Sequence, residues 1–179
     1  MDEAPAALKK PTIYLDTNVL SAYWYEGHDV LSLARRILTR EWWDAERRNF
    51  EIWISQITVA ELKAGHYRRQ ADACEMASRL RRLPLNRKIR EFSDHLVDLG
   101  LIPGAKPNDA MQMAVATVHR IDYLLTWNYS HLANPDAQRR LEQQCRDAEY
   151  RAPIMVTPQS IPKRMQGQEI RRDPNDDRQ

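Results

Sequence analysis

The sequence lacks the features that would direct a chain into or across a membrane. Among its 179 residues, no run approaches the roughly 18 consecutive apolar residues that a membrane-spanning helix requires. Residues 1–11, MDEAPAALKKP, have an acid near the start and no apolar stretch of the kind found in a signal peptide. We therefore expect a cytoplasmic protein that does not act on a membrane.

Cysteine is also scarce. The chain has two cysteines, Cys74 and Cys145, which are far apart, form no CxxC motif and have no histidine at ligand spacing. This pattern argues against a disulfide framework and against a zinc site. We expect two reduced, buried thiols.

The remaining composition is that of an ordinary globular chain. Apolar residues make up 42% of the sequence and charged residues 29%, and there is no internal repeat. The length favours one domain with its own core. We predict an N-terminal tail over 1–11, one folded domain over 12–160 and a C-terminal tail over 161–179. The C-terminal tail is predicted to be disordered because it lacks apolar periodicity.

Short apolar runs alternate with helical patterns along the chain. Buried strands are predicted at 12–15, 52–54, 123–126 and 154–157. Helical stripes are present at 30–38, 74–83, 89–99 and 108–119. The third helix has Asn86 as a cap and Gly100 at its end, and the fourth is apolar almost all round. This alternation predicts an α/β fold with a mainly parallel sheet.

Polar residues follow the predicted strands, where parallel sheets place their functional sites. Asp16 follows the first strand, Glu61 the second and Asn128 the third, while Asp109 opens the apolar helix. Each also has a purely structural explanation. Asp16 could cap a helix, Glu61 could complete a capping box begun by Thr58, Asp109 would be favoured by the helix dipole, and Asn128 could occupy a turn. Four such coincidences at strand ends are less expected than one site.

The acidic character of this set indicates a metal cofactor. Neighbouring carboxylates raise one another's pKa unless a cation lies between them. A hard divalent ion with oxygen ligands resolves the repulsion, and Mg²⁺ or Mn²⁺ fits Asp16, Glu61 and Asp109 best. No histidine or cysteine occurs in these motifs, which argues against zinc.

Positive charge is concentrated in one stretch. The net charge of +2 is uninformative, but residues 68–90 contain eight arginines and lysines against two acids. Such a stretch could contact a phosphate backbone, and Arg79, Arg81 and Arg82 are its candidate nucleic-acid-binding residues. The alternative is a solvated helix face.

Four segments, in order, carry a resemblance to a known family. They are IYLDTNVL at 13–20, ITVAEL at 57–62, NDAMQMAVA at 108–116 and YLLTWN at 123–128. Together they make the chain, from about 12 to 158, similar to the PIN-domain nucleases. In particular, it resembles the VapC-like toxins of bacterial type II toxin–antitoxin pairs.

The resemblance implies a three-layer α/β/α sandwich and an endoribonuclease that hydrolyses RNA phosphodiester bonds. It implies that Asp16, Glu61 and Asp109 bind Mg²⁺ or Mn²⁺ and that Asn128 completes the catalytic set. It also implies a small antitoxin protein as a partner that covers the site, and it makes a homodimer a further expectation.

One departure from the family pattern leaves alternatives open. The position of Asn128 is more often an aspartate, and an amide brings no charge, which puts a second metal in doubt. The chain could instead be a catalytically degenerate PIN domain that binds RNA or a protein partner without cutting. A phosphatase of the haloacid-dehalogenase type ranks last, because it requires an aspartate where this chain has Asn18.

Overall fold

The computed structural model describes residues 9–100, 107–128, 132–133 and 135–162. Its strands are β1 (Thr12–Leu15), β2 (Glu51–Ser55), β3 (Arg81–Leu83), β4 (Tyr123–Leu125) and β5 (Ile154–Val156). Its α-helices are α1 (Thr17–Tyr23), α2 (Val30–Ala45), α3 (Gln56–Ala64), α4 (Gln70–Ser78), α5 (Arg87–Asp98), α6 (Pro107–Val118) and α7 (Pro135–Asp147). Most of both predicted tails lies outside the described residues, and the domain boundaries stay a prediction.

All the strand pairs of the sheet are parallel, and the strand order is β3-β2-β1-β4-β5. The chain first builds outward from β1 through β2 to β3. It then returns to place β4 on the other side of β1, followed by β5. The direction of building therefore reverses between β1 and β4. In open parallel sheets, this reversal leaves a crevice beyond the carboxyl ends of the two strands.

Successive side chains of each strand enter two different cores, as the period of two in a strand requires. Ile13 and Leu15 pack with residues of α1 to α4, whereas Tyr14 packs with residues of α5 to α7. In β4, Tyr123 and Leu125 join the first core and Leu124 joins the second. The sheet is thus covered by helices on both faces, which confirms the predicted α/β/α sandwich.

The predicted helix over 74–83 is wrong beyond residue 78. Helix α4 ends at Ser78, and residues 81–83 form the edge strand β3, which pairs with β2. The predicted stripe included Leu80 and Leu83 at helical spacing, but Leu83 belongs to β3 and its side chain is buried in the core from there. Tertiary pairing with β2 decides the conformation of a segment whose two arginines give it no apolar alternation.

The predicted capping box at Thr58 is also wrong. The cap of helix α3 lies three residues earlier, where the Ser55 side chain accepts a hydrogen bond from the Ile57 amide at 3.2 Å. Thr58 is inside the helix and buried. Glu61 is therefore not explained as the second member of a cap. The predicted ends of α5 are confirmed, because Asn86 accepts from the Ile89 amide at 3.0 Å and Gly100 has a φ of +55°.

The helices and the two cysteines bear on what the composition predicts about membranes and disulfides. Within the described ranges, no helix combines the length and the apolar character needed to cross a bilayer. Both cysteines are free thiols, with Cys145 buried and Cys74 half-buried.

Candidate active site

A pocket of about 670 Å³ opens at the carboxyl edge of the sheet, where β1 and β4 end side by side. Its lining includes all four residues that the sequence singled out, Asp16, Glu61, Asp109 and Asn128. They come from four places in the chain: the ends of β1 and β4, the helix α3 and the first turn of α6. The reversal between β1 and β4 brings these distant segments together around one cavity.

Asp16 is the most deeply buried acid of the site, with 4% of its surface exposed. It is the N-cap of α1, and one carboxylate oxygen accepts from the Asn18 amide at 3.4 Å. The other oxygen accepts from Asn18 Nδ2 and from Thr126 Oγ1, both at 2.5 Å. Asp16 is therefore both a helix cap and a fixed acid within the pocket.

Burial raises the pKa of Asp16 from its ordinary value of 3.8 to about 6. Hydrogen bonds from Thr126, Gln112 and the Asn18 backbone oppose this rise, while the charge of Glu61 adds to it. Because the pKa is higher in the folded state, this group stabilises folding below pH 4 and loses that contribution as the pH rises through 6. At neutral pH, Asp16 is a buried anion that a nearby cation would stabilise.

Glu61 is held by donors from two other elements. Its Oε1 accepts from Asn108 Nδ2 at 2.7 Å, and its Oε2 accepts from Gln112 Nε2 at 3.0 Å. The hydroxyl of Thr17, the residue that directly follows Asp16, also donates to Oε2. These contacts fix Glu61 between α1 and α6, and they orient its carboxylate within the pocket.

Asp109 and Asn128 are half-buried in the pocket wall. Asp109 lies in the first turn of α6, where the helix dipole favours a negative charge. Asn128 is anchored through its backbone, since its amide donates to Thr126 Oγ1 at 3.0 Å and its carbonyl accepts from the amides of Leu132 and Ala133 at 2.9 Å. Thr126 therefore links the backbone of Asn128 to the carboxylate of Asp16.

The chemistry of the donors fits a hard divalent ion. The acids of the pocket offer only oxygen, and the buried Oε1 of Gln112 has no hydrogen-bond partner within the described residues. In the part of the chain that the structure describes, however, no three Asp, Glu, His or Cys side chains are close enough to hold a metal together. The residues fit Mg²⁺ or Mn²⁺ by type, and the carboxylates would need to move closer to share one ion.

The three candidate RNA-binding arginines lie elsewhere. Arg79 directly follows α4 and pairs with Glu75 at 2.5 Å, while Arg81 and Arg82 lie in the edge strand β3. The Arg81 guanidinium stacks 4.0 Å from the centre of the Trp53 ring. None of the three lines the pocket. Because Arg81 and Arg82 are in a strand, the alternative of a solvated helix face is wrong for them, and RNA binding by these arginines stays a prediction.

The polar residues that hold the acids were not assigned roles from the sequence. They are Thr17, Asn18, Asn108, Gln112 and Thr126. A signal for two of them exists, because Asn108 and Gln112 are four residues apart and lie on one face of α6. Thr17, Asn18 and Thr126 lie within three residues of the ends of buried strands, so the sequence also indicated that they belong to the carboxyl edge of the sheet.

Comparison with known proteins gives one family and several related folds. The model of the PIN domain family matches residues 13–133. No curated protein has a significant match to the sequence.

Three solved structures illustrate the shared fold. A toxin–antitoxin complex from Klebsiella pneumoniae is 21% identical, with a TM-score of 0.53 over 82% of this chain and 98% of that one. VapBC-1 from nontypeable Haemophilus influenzae is 19% identical, with a TM-score of 0.52 over 83% and 98%. VapC20 from Mycobacterium tuberculosis, described as a toxin that cleaves the sarcin-ricin loop, is 16% identical, with a TM-score of 0.51 over 63% and 87%.

Proposed function

The chain belongs to the PIN domain family of nucleases, and we propose that it is a metal-dependent endoribonuclease that acts as the toxin of a toxin–antitoxin pair. One observation carries this proposal. Asp16, Glu61 and Asp109 line one pocket at the carboxyl ends of β1 and β4, although the first and the last are 93 positions apart in the sequence. A purely structural role for each acid would not require this convergence.

The three acids have different environments, and these suggest different contributions. Asp16 is fixed by Asn18 and Thr126 in a buried position, so its charge has little access to water. Glu61 is fixed by three donors and cannot turn away from the pocket without breaking them. Asp109 brings a third charge from the start of α6. This rigid frame would place a phosphodiester bond and its attacking water with little reorganisation.

Asp16, Glu61 and Asp109 would hold the divalent ion, with the Asn128 amide as a neutral fourth group. When bound, such an ion supplies positive charge against the phosphate and makes water more acidic. Without it, three carboxylates would repel the RNA backbone. Asn128 brings no charge, so the site has one negative charge fewer than a site with four carboxylates.

RNA is proposed as the substrate because of the family and of the folds that resemble this chain. VapC20 is described as cleaving the sarcin-ricin loop, and its fold is shared. The volume of the pocket, about 670 Å³, is that of a cavity for a substrate and exceeds what a single ion needs.

A small antitoxin protein is the proposed partner, since the similar fold from Klebsiella pneumoniae was solved as a toxin–antitoxin complex. Val30, Leu31 and Ile37 on α2 are 83%, 60% and 48% exposed, and they neighbour Ser32 and Arg35, which line the pocket. A partner with apolar side chains for this face and a basic side chain for the acidic pocket would cover the site. The homodimer stays a prediction.

The proposal is tested by incubating the purified chain with structured and single-stranded RNA in the presence of Mg²⁺ or Mn²⁺. We expect cleavage that stops in excess EDTA and returns when the metal is restored. Attack by water does not use the 2′-hydroxyl, so the products should carry 5′-phosphate and 3′-hydroxyl ends. Cleavage that continues in EDTA, or products with cyclic phosphate ends, would contradict this mechanism.

A degenerate PIN domain is the second candidate function, favoured by Asn128 in place of an acid. The same experiment separates the two functions. Binding of RNA without cleavage under every metal condition would support the degenerate domain.

The arginines of β3 provide a separate prediction. Replacing Arg81 and Arg82 by glutamine should weaken RNA binding and lower the slope of log affinity against log salt. The expected decrease is about 0.7 for each phosphate of a single strand that these arginines neutralise. The same double change at Arg139 and Arg146 of α7 removes equal charge elsewhere and serves as the control. An unchanged affinity and slope in the β3 variant would mean that these arginines do not bind RNA.

A further inference from the structure

An arginine in the wall of the acidic pocket forms no ion pair with any acid of the described part of the chain. Arg35, on α2, lines the same cavity as Asp16, Glu61 and Asp109. Eight ion pairs occur among the described residues, and none of them involves Arg35. Its Nε is buried and has no hydrogen-bond partner within the described ranges. A buried charged donor without a partner is unfavourable unless a ligand supplies the acceptor.

The surroundings of Arg35 hold its guanidinium in place rather than neutralise it. The guanidinium carbon lies 5.9 Å from the centre of the Trp127 ring, within the range of a cation–π contact. Trp127 is 3% exposed and donates from its indole Nε1 to Thr39 Oγ1 at 2.8 Å. Thr39 in turn donates to the carbonyl of Arg35 at 2.6 Å. The ring that supports the guanidinium is therefore tied to the helix that carries Arg35.

The same contacts tie Arg35 to the acidic part of the pocket. The Trp127 amide donates to Asn18 Oδ1 at 2.8 Å, and Asn18 Nδ2 donates to the carboxylate of Asp16 at 2.5 Å. Asn18 thus positions the deepest acid and the tryptophan under Arg35 at once. A ligand that spans the pocket would meet the carboxylates and the guanidinium in a fixed relation.

A guanidinium presents its donors in a planar fork that matches the oxygens of a phosphate. We propose that Arg35 binds a backbone phosphate of the RNA strand next to the phosphate that is cleaved. The assignment rests on the proposed ribonuclease function and adds the residue that holds the strand. It also gives a role to an arginine that lines the same pocket as three acids, since its charge offsets their repulsion of the strand.

Binding can be measured apart from cleavage by working in an Asp109→Asn background, with a labelled single-stranded RNA oligonucleotide as the probe. We expect Arg35→Gln to weaken binding about tenfold, as the removal of one charge-assisted hydrogen bond predicts. The slope of log affinity against log salt should fall by about 0.7, the value for one phosphate of a single strand. Arg35→Lys should retain the slope and bind with intermediate affinity, because it keeps the charge without the planar fork.

Arg47→Gln is the matched control, because Arg47 also stacks on a tryptophan, with 5.3 Å to the Trp43 ring, but does not line the pocket. It should leave both affinity and slope unchanged. A folded Arg35→Gln protein with the affinity and slope of its parent would overturn the assignment, as would a parent that binds no RNA. A wild type that never cuts RNA, combined with the expected weakening in Arg35→Gln, would remove the ribonuclease function and leave the phosphate site intact.

Discussion

Asp109→Asn should lower the rate of RNA cleavage by about a thousandfold while the protein stays folded. The substitution removes one negative charge from the pocket and nearly preserves the shape of the side chain. A thousandfold loss corresponds to about 4 kcal/mol of transition-state stabilisation, since each ~1.4 kcal/mol is tenfold in rate. Asp109 is in the first turn of α6, so the loss of its favourable interaction with the helix dipole should cost only about 0.3–1 kcal/mol of stability.

Asp136→Asn is the control for this experiment. Asp136 is also an aspartate in the first turn of a helix, α7, but it does not line the pocket and its side chain is exposed. Single-turnover cleavage and circular dichroism should be measured on both variants prepared in parallel. Equal cleavage by Asp109→Asn and wild type, stopped in both by EDTA, would remove Asp109 from the catalytic set.

The second large effect is expected in thermal stability. Mg²⁺ or Mn²⁺ should raise the melting temperature of the wild type, because a ligand that binds only the folded state stabilises it by about 2.7 kcal/mol at a hundred times its Kd. For a chain of this size, that corresponds to a rise of about 5–10 °C. Asp16→Asn should show little of this rise, since it removes the most buried negative charge of the site.

Asp29→Asn provides the comparison, because Asp29 also caps a helix through its side chain but is exposed and does not line the pocket. It should keep the full metal response. Without metal, the wild type should lose stability relative to Asp16→Asn between pH 4 and pH 7, on the order of 3 kcal/mol, because folding raises the pKa of Asp16 to about 6. A metal response that is equal in the wild type and in Asp16→Asn would exclude Asp16 as a ligand.

The sequence predicted the parts of the fold that depend on buried apolar runs. The four predicted strands are present within one or two residues, and their parallel order follows from the helices between them. The sequence also allowed the prediction that Asp16 and Asn128 lie in one site, because both residues follow predicted strands. Sites form at the carboxyl ends of parallel strands, so the edge of the sheet that holds the site could be predicted without knowing which strands are neighbours.

Other features depend on contacts between distant segments, and local patterns could not reveal them. Strand β3 exists because its backbone pairs with β2, although two of its three residues are exposed arginines. The apolar stripe of α2 correctly predicts a helix, but it does not identify the buried side of that helix. Val30 and Ile37 of the stripe are exposed, whereas Thr39 and Trp42 are buried. Helix α7 was not predicted, because its buried residues are only Ala137, Leu141 and Cys145 among many charged ones.

The short, charged strand β3 also bears on how the chain behaves in concentrated solution. An edge strand exposes unpaired backbone groups that can recruit the edge of another sheet, and short length, charge and proline all discourage such aggregation. β3 has three residues, two of them arginines, and Pro84 follows it; on the opposite edge, β5 is preceded by Pro153 and followed by Pro158 within two residues. Removing Arg81 and Arg82 would therefore weaken a barrier against self-association, so RNA binding by that variant has to be compared at concentrations where light scattering confirms that no aggregates form.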